Sequence, residues 1–254
     1  MGAGHARALH RPGDSVVHRL PAHVKIVVAF LMVIAVVATP RGAFAVFGLH
    51  LLLLIGIWTA ARIPPGWLAA RSLIEAPFVV LAVLLPFFAT GTRVEWWGMW
   101  LSVDGLLAGW NILVKGTLGV LISVTLAATT PLRDLVSGLS RLRVPAMVCV
   151  IATLMLRYLE VIAAEARRMR LARLSRGHDP RFVWQLGATV RSVGALFLRS
   201  YERGERVHLA MLSRGYTGTM PAFTTAPASG ATWSVALLPA VAGALLAASG
   251  YWIA

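Results

Sequence analysis

The sequence predicts an all-α fold: a polytopic membrane protein with about five to six membrane helices and two long cytoplasmic helices. Three observations carry that reading. Hydrophobic residues are 58% of the 254 and charged residues only 13%, where soluble domains sit near about half and a quarter. The apolar residues fall in long runs, and the mean hydropathy is +0.74. The charge is lopsided, 24 Lys+Arg against 10 Asp+Glu, and the basic residues flank or follow the apolar runs. Such an arrangement reports membrane topology, so nucleic acid is not an expected partner. The single cysteine, Cys149, excludes an internal disulfide and a Cys-based zinc site.

A membrane helix needs roughly 20 mostly apolar residues. The predicted spans are Val24 to Thr39, Ala43 to Ala60, Leu73 to Thr90, Leu106 to Thr129 and Trp233 to Ile253. A sixth apolar stretch, Val144 to Ala164, carries Arg157 and Glu160 and runs into Glu165, Arg167, Arg168 and Arg170. The sequence leaves open whether it crosses the membrane. Pro77 and Pro86 are expected to kink the third span, and Pro239 the last.

Arginine and lysine in short loops stay on the cytoplasmic side. The N-terminal segment has Arg7, Arg11, Arg19 and Lys25, and Arg62 and Arg71 follow the second span. The loop after the first span has only Arg41; the loop after the third pairs Arg93 with Glu95 and Asp104. That loop also holds Trp96, Trp97 and Trp100, residues suited to a membrane interface. The N-terminus is therefore expected inside, as is the segment after the fourth span. Ala43-Phe44-Ala45 resembles a signal-peptide cleavage site, but the long basic leader and the apolar run directly after it argue against cleavage. Three domains result: 1–130, an N-terminal membrane domain of four spans; 131–220, cytoplasmic; and 221–254, a C-terminal membrane helix.

The cytoplasmic segment holds 15 arginines and no lysine between Pro131 and Pro221. A short helix is expected over Pro131 to Leu142. Longer ones follow from about Ala146 to Arg176 and from about Phe182 to Arg214, with a turn at Asp179-Pro180. The last is amphipathic: Phe182, Leu186, Val190, Val193, Phe197, Tyr201 and Leu209 recur at helical spacing. Its arginines bar it from hydrocarbon, so it must meet another helix, an interface or a partner protein.

The two long helices end alike. Leu171-Ala172-Arg173-Leu174-Ser175-Arg176-Gly177 closes the first, and Leu209-Ala210-Met211-Leu212-Ser213-Arg214-Gly215 closes the second. A bulky ring follows each, His178 and Tyr216. Glycine just past a helix end takes the left-handed conformation that stops the helix, and arginine in the last turn complements the helix dipole. A guanidinium thus projects from each stiff tip, suited to bidentate pairing with a partner's carboxylate. For one copy alone, a solvated helix cap explains the pattern; the duplication argues for docking.

At these residues the chain resembles the transmembrane T component of energy-coupling factor transporters, a branch of the ABC importers. That family ends two long coupling helices with Ala-Arg-Gly or a close variant. Here the motifs read Ser175-Arg176-Gly177 and Ser213-Arg214-Gly215, with serine for alanine in both. The stretch from Val17 to Lys25, with His18-Arg19-Leu20-Pro21 and then Lys25, is similar to the opening of the cobalt/nickel subgroup, CbiQ, lacking only its usual Asp. Thr130-Pro131 is similar to the family as well. The resemblance implies a non-catalytic coupling subunit of an importer, for cobalt or nickel. The implied partners are two ABC ATPase subunits and a CbiM-like membrane subunit that captures the substrate. Arg176 and Arg214 are the implied ATPase-docking residues.

Other residues weigh less. Lys115 lies mid-span near Asn111, and intramembrane charge can mark a path. Glu75 is expected near the cytoplasmic end of its span, far in depth from Lys115. His5, His10, His18 and His23 have irregular spacing, so no metal site is assigned. No catalytic constellation stands out, no cofactor is implied, and no phosphate-binding Gly-Lys-Ser/Thr loop exists, so ATP hydrolysis is expected elsewhere. The alternative function is a self-contained transporter or channel with Lys115 and Asn111 in its path. A membrane-embedded enzyme would need acid, base or histidine residues converging at one face, and none do.

Overall fold

The computed structural model of the chain describes residues 10–71, 75–90, 92–96, 99–178, 182–218 and 228–253. In chain order the elements are α1 (Val16–Arg19), α2 (Ala22–Ala38), α3 (Phe44–Ala61), α4 (Pro65–Arg71) and α5 (Ala76–Phe88). Then come β1 (Arg93–Trp96), β2 (Met99–Ser102), α6 (Val103–Thr129), α7 (Leu132–Arg141) and α8 (Ala146–Ser175). A short 3₁₀ turn, Val183–Leu186, leads into α9 (Gly187–Leu212), and α10 (Gly230–Ile253) ends the chain. The described residues divide into two compact units, 10–131 with 228–253, and 132–218.

By length and composition α3, α6, α8 and α10 can cross a membrane, and α2 and α5 are shorter apolar helices. The protein is a multi-pass membrane protein, and its outward-facing leucines, valines and phenylalanines are those of a lipid-facing surface. Ends agree with the sequence expectation to within a few residues, except in the third span. There the helix is only Ala76–Phe88, and a separate helix, α4, precedes it. Pro77 lies in the first turn of α5 and so interrupts no backbone bond; Pro86 and Pro239 lie inside their helices.

Side-chain contacts fix the directions within the first unit. His23 meets the ring of Trp233, and Tyr251 donates to the Ala38 carbonyl, so α2 and α10 run parallel. Lys25 reaches Thr129 and Lys115 reaches Val37, so α6 runs opposite to α2. Phe44 packs on Trp110 and Trp58 donates to Thr125, so α3 runs with α6. The end of α6 and the start of α10 therefore lie on the same side of this unit. Met32, Val36, Leu54, Trp58, Leu121 and Ile122 are among the residues that fill the space between these helices.

Helices α5 and α6 approach most closely. A Cβ at Gly109 would lie 2.5 Å from the Ala82 carbonyl oxygen, and one at Gly105 would lie 2.8 Å from that of Leu85. Two glycines four apart give the small-residue seam by which membrane helices meet. The loop between α5 and α6 is a hairpin, with Arg93 opposite Ser102 and Trp96 opposite Met99. The side chains of Trp96, Trp97 and Trp100 lie outside the described residues. Ser102 then caps α6 by accepting from the Gly105 N–H.

The described residues of the second unit form helices joined by turns, with no strand among them. Helices α8 and α9 are antiparallel: Arg173 bonds Thr189, while Glu165 pairs with Arg199 at 3.2 Å and Arg203 at 3.4 Å. The proposed Asp179-Pro180 turn and the 220/221 boundary lie outside the described residues.

Candidate functional site

The two repeated heptapeptides fold into one geometry. At the first tip, the N–H of Arg176 donates to the Arg173 carbonyl, Gly177 to Leu174 and His178 to Arg173, at 3.1, 3.0 and 3.0 Å. At the second, Arg214 donates to Met211, Gly215 to Leu212 and Tyr216 to Met211, each at 3.0 Å. The crossed pair of bonds closing each helix, with glycine at positive φ, is the Schellman stop. Gly177 has φ 75° and Gly215 φ 80°. In both tips the arginine is the last residue before that glycine, and it is exposed. The seryl hydroxyls also match: Ser175 donates to the Ala172 carbonyl and Ser213 to that of Ala210, both at 3.1 Å.

The tips differ at one point, and it is the point where the heptapeptides differ. Arg173 donates to the Thr189 hydroxyl and braces the first tip on the start of α9. Met211, its counterpart, can make no such bond. Because α8 and α9 are antiparallel, Arg176 and Arg214 lie at opposite ends of the pair. Helix α9 has 26 residues, which separates the tips by about 39 Å of helix. One small ligand cannot bridge them; two separate sockets can receive them.

The apolar stripe of α9 faces away from α8. Val190, Val193, Phe197, Tyr201 and Leu209 are all exposed within the described unit, whereas Thr189, Arg199 and Arg203 face α8. The unit thus presents two arginine tips and one greasy helix face.

The family model described as CbiQ, cobalt transport protein, matches residues 13–224. The chain belongs to this family. It is 29% identical to the energy-coupling factor transporter transmembrane protein EcfT of Bacillus selenitireducens over 221 residues, 82% of each chain. It is 31% identical to the cobalt transport protein CbiQ of Rhodobacter capsulatus over 170 residues, 66% of this chain and 68% of that one. The EcfT of Thermotoga maritima is 28% identical over 224 residues, 83% of this chain and 80% of that one. Membership makes the chain a T component of the energy-coupling factor class, a transporter membrane component rather than an enzyme.

Each seryl hydroxyl is turned back onto its own helix and bonds the carbonyl three residues earlier.

A second cluster lies in the membrane unit, where the N-terminal stretch grips the end of α6. The Lys25 ammonium donates to Thr129 O at 2.9 Å and to His18 O at 3.0 Å. The Arg11 N–H donates to Ala128 O at 2.9 Å, and His10 Nδ1 donates to the same oxygen at 3.1 Å. A lysine and two further links thus cover the last carbonyls of a helix, where the dipole favours positive charge. His18 Nε2 donates to Arg11 O, and its Nδ1 shares a 2.6 Å hydrogen bond with the Ser15 hydroxyl. Burial holds the His18 pKa below the usual histidine value. The Arg11 carbonyl works against that shift and the Lys25 charge adds to it. The sequence held the signal, the His18 to Lys25 stretch, but the carbonyls it serves are about 100 residues away.

The remaining candidates take structural places. Lys115 donates to the Val37 carbonyl at 2.7 Å. Glu75 is buried, accepts from the Thr117 hydroxyl at 3.0 Å, and has an oxygen 2.7 Å from where a Cβ on Gly116 would stand. It therefore lies level with Lys115, not far from it in depth, and is held by the two residues of α6 that follow that lysine. His23 stacks on Trp233, and His5 lies outside the described residues.

Proposed function

We propose that this T component is a lever between ATPase and substrate-capture subunits. Arg176 and Arg214 each dock in a carboxylate-bearing groove on one of two ABC ATPase subunits, which hydrolyse the ATP. When that pair closes, the tips move apart or together, and α8 and α9 carry the motion. The exposed stripe from Val190 to Leu209 is the surface offered to a CbiM-like capture subunit. Cobalt or nickel is the proposed cargo, on the strength of the CbiQ name of the family and the N-terminal wording.

One observation supports this reading above the others: the bond-for-bond repeat of an arginine-bearing stop at opposite ends of a stiff helix pair. A plain helix cap has no reason to be duplicated at that separation. A self-contained transporter would put Lys115 in its path, but that ammonium is occupied by the Val37 carbonyl.

The basic N-terminal side is placed in the cytoplasm by the positive-inside rule. The chain leaves the membrane unit at α6 and re-enters at α10 on the same side, so the segment between crosses the bilayer an even number of times. Helix α9 carries Arg191, Arg199, Arg203 and Arg206 and is unsuited to crossing. On this reading α8, despite its apolar first half, does not cross either, and residues 131–220 form the cytoplasmic coupling segment.

Co-purification with the candidate ATPase subunits tests the docking. Wild type should retain them, and Arg176→Glu with Arg214→Glu should lose them while remaining folded. A carboxylate in place of each arginine meets like charge in a desolvated groove, which costs several kcal/mol. Equal retention by both proteins would reject the docking role.

A further inference from the structure

A groove of 620 Å³ opens in the first unit, walled by α1, α2, α3, α6 and α10. Its volume is that of a small-molecule cleft, about 300–1,000 Å³. Val28, Met32, Leu54, Ile57 and Ile122 give it an apolar interior. Gly56, Ala60, Val235 and Leu238 are exposed along its rim, so it opens sideways between α3 and α10, where hydrocarbon surrounds the protein. Pro239, also on its wall, has no N–H, which frees the Val235 carbonyl four residues earlier.

One end of the groove is basic. Lys25 and Thr129 line it, and Val16 and Val17 of α1 and the following Leu20 close it. Arg19 lies in that same turn, Arg62 follows Ala60 by two residues, and Arg11 accepts from His18; all three arginines are exposed. Asp14 is the acidic residue in the same stretch. Lys25 thus lines the end of an apolar slot whose neighbouring chain segments carry the exposed Arg11, Arg19 and Arg62 against Asp14. A basic pocket between membrane helices on the cytoplasmic side is the pattern that takes an anionic lipid headgroup.

We propose that this groove holds one acyl chain of an anionic phospholipid from the cytoplasmic leaflet, with its phosphate on Arg19 and Arg62. The leaflet assignment rests on the orientation given above; the groove and its basic end do not. The bound lipid fills the gap between α3 and α10 and sits against the Lys25 cluster that holds the end of α6. It is an integral part of the membrane unit rather than a transported cargo.

Native mass spectrometry of the full chain in detergent tests this, with dioleoyl phosphatidylglycerol and dioleoyl phosphatidylcholine as probes. Wild type should retain one phosphatidylglycerol at concentrations about tenfold below those needed for phosphatidylcholine, the scale expected of two surface arginines. Gly56→Leu fills the groove, since a Cβ there meets nothing within 4 Å, and should abolish retention of both lipids. Gly48→Leu, equally free of clashes on the same helix but off the groove, should leave retention intact and so controls for folding. Arg19→Gln with Arg62→Gln should erase the preference between headgroups. Retention unchanged in Gly56→Leu would overturn the groove as the site, and equal retention of both lipids by wild type would overturn the headgroup. Loss of the lipid when the ATPase and capture subunits assemble would assign the groove to a partner's helix instead. Failure of arginine-tip docking would leave all these outcomes readable.

Discussion

The Lys25 ammonium donates to the Thr129 carbonyl at 2.9 Å, across 104 residues, and joins the start of α2 to the last turn of α6. Three residues later the chain enters α7 and the segment that carries the arginine tips. The proposed lever needs a fixed root, and this bond helps to hold it. Lys25 is buried and lies at a helix end where its charge is favoured. Lys25→Met keeps the length and removes the charge, leaving the Thr129 and His18 carbonyls short of a donor. Hydrogen bonds from charged groups contribute about 1.5–3 kcal/mol. The variant should melt several degrees lower in detergent, and trypsin should cut sooner near Arg133. An unchanged melt would show that the root does not depend on this bond.

His18 gives the same cluster a pH dependence. Its folded pKa lies below the ordinary value of about 6.5 because burial disfavours the charged ring. The unfolded chain therefore takes up the proton first as pH falls. The stability due to a neutral His18 is complete above about pH 6.5 and declines below it, until the folded ring also protonates. Melting between pH 8 and pH 5 should fall more steeply for wild type than for His18→Gln. Parallel curves would remove His18 as the source.

Much of the fold was legible because its signals are local. Apolar runs located the long spans, and Arg-Gly at Arg176 and Arg214 located both helix stops within two residues. What stayed hidden depends on pairs distant in sequence. Nothing near Leu73 shows that α6 supplies Thr117 and Gly116 to seat Glu75. Periodicity suggested that α9 is amphipathic but not which face α8 covers; Glu165, 34 residues before Arg199, decides that. The Lys25 cluster was visible as a motif without a mechanism, since its acceptors are backbone oxygens that any residue at 128 and 129 would supply.

The α5–α6 seam predicts a sharp cost at Gly109. A methyl group there would stand 2.5 Å from the Ala82 carbonyl oxygen, and backbone cannot swing aside as a side chain can. Gly109→Ala should destabilise by about 1–3 kcal/mol, the range for overpacking a filled interior. Gly119→Ala, on the same helix with nothing within 4 Å, should be neutral or gain slightly from helix propensity. Thermal melts of the two variants compare packing against propensity directly.

His50 predicts a gain. Its Nδ1 donates to the Val46 carbonyl, so the bare Nε2 is an acceptor, and it is buried without a partner. A Cβ at Gly243 would lie 3.7 Å from that nitrogen and 3.5 Å from the Ala35 methyl, ordinary contact distances. Gly243→Ser places a hydroxyl donor within reach. Satisfying a buried acceptor is worth about 1 kcal/mol, and replacing a mid-helix glycine adds a similar amount. Gly243→Ser should melt above both wild type and Gly243→Ala. If serine and alanine match, the nitrogen is not being satisfied.

The helix stops separate shape from charge at the proposed docking site. Ser175→Ala with Ser213→Ala removes hydroxyls that bond only their own helix, so ATPase retention and melting should both stay near wild type. Gly177→Ala and Gly215→Ala act differently. Each forces a side chain into the left-handed region, at a cost of about 1–2 kcal/mol, and the last turn should loosen. The arginine remains but loses its fixed direction, so retention should weaken without vanishing, and salt should weaken it further. Arg176→Lys with Arg214→Lys keeps the charge but not the planar fork. If the lysine pair binds as wild type does, the tips work as point charges. If it binds as poorly as the glutamate pair, bidentate geometry is what the duplicated stop exists to aim.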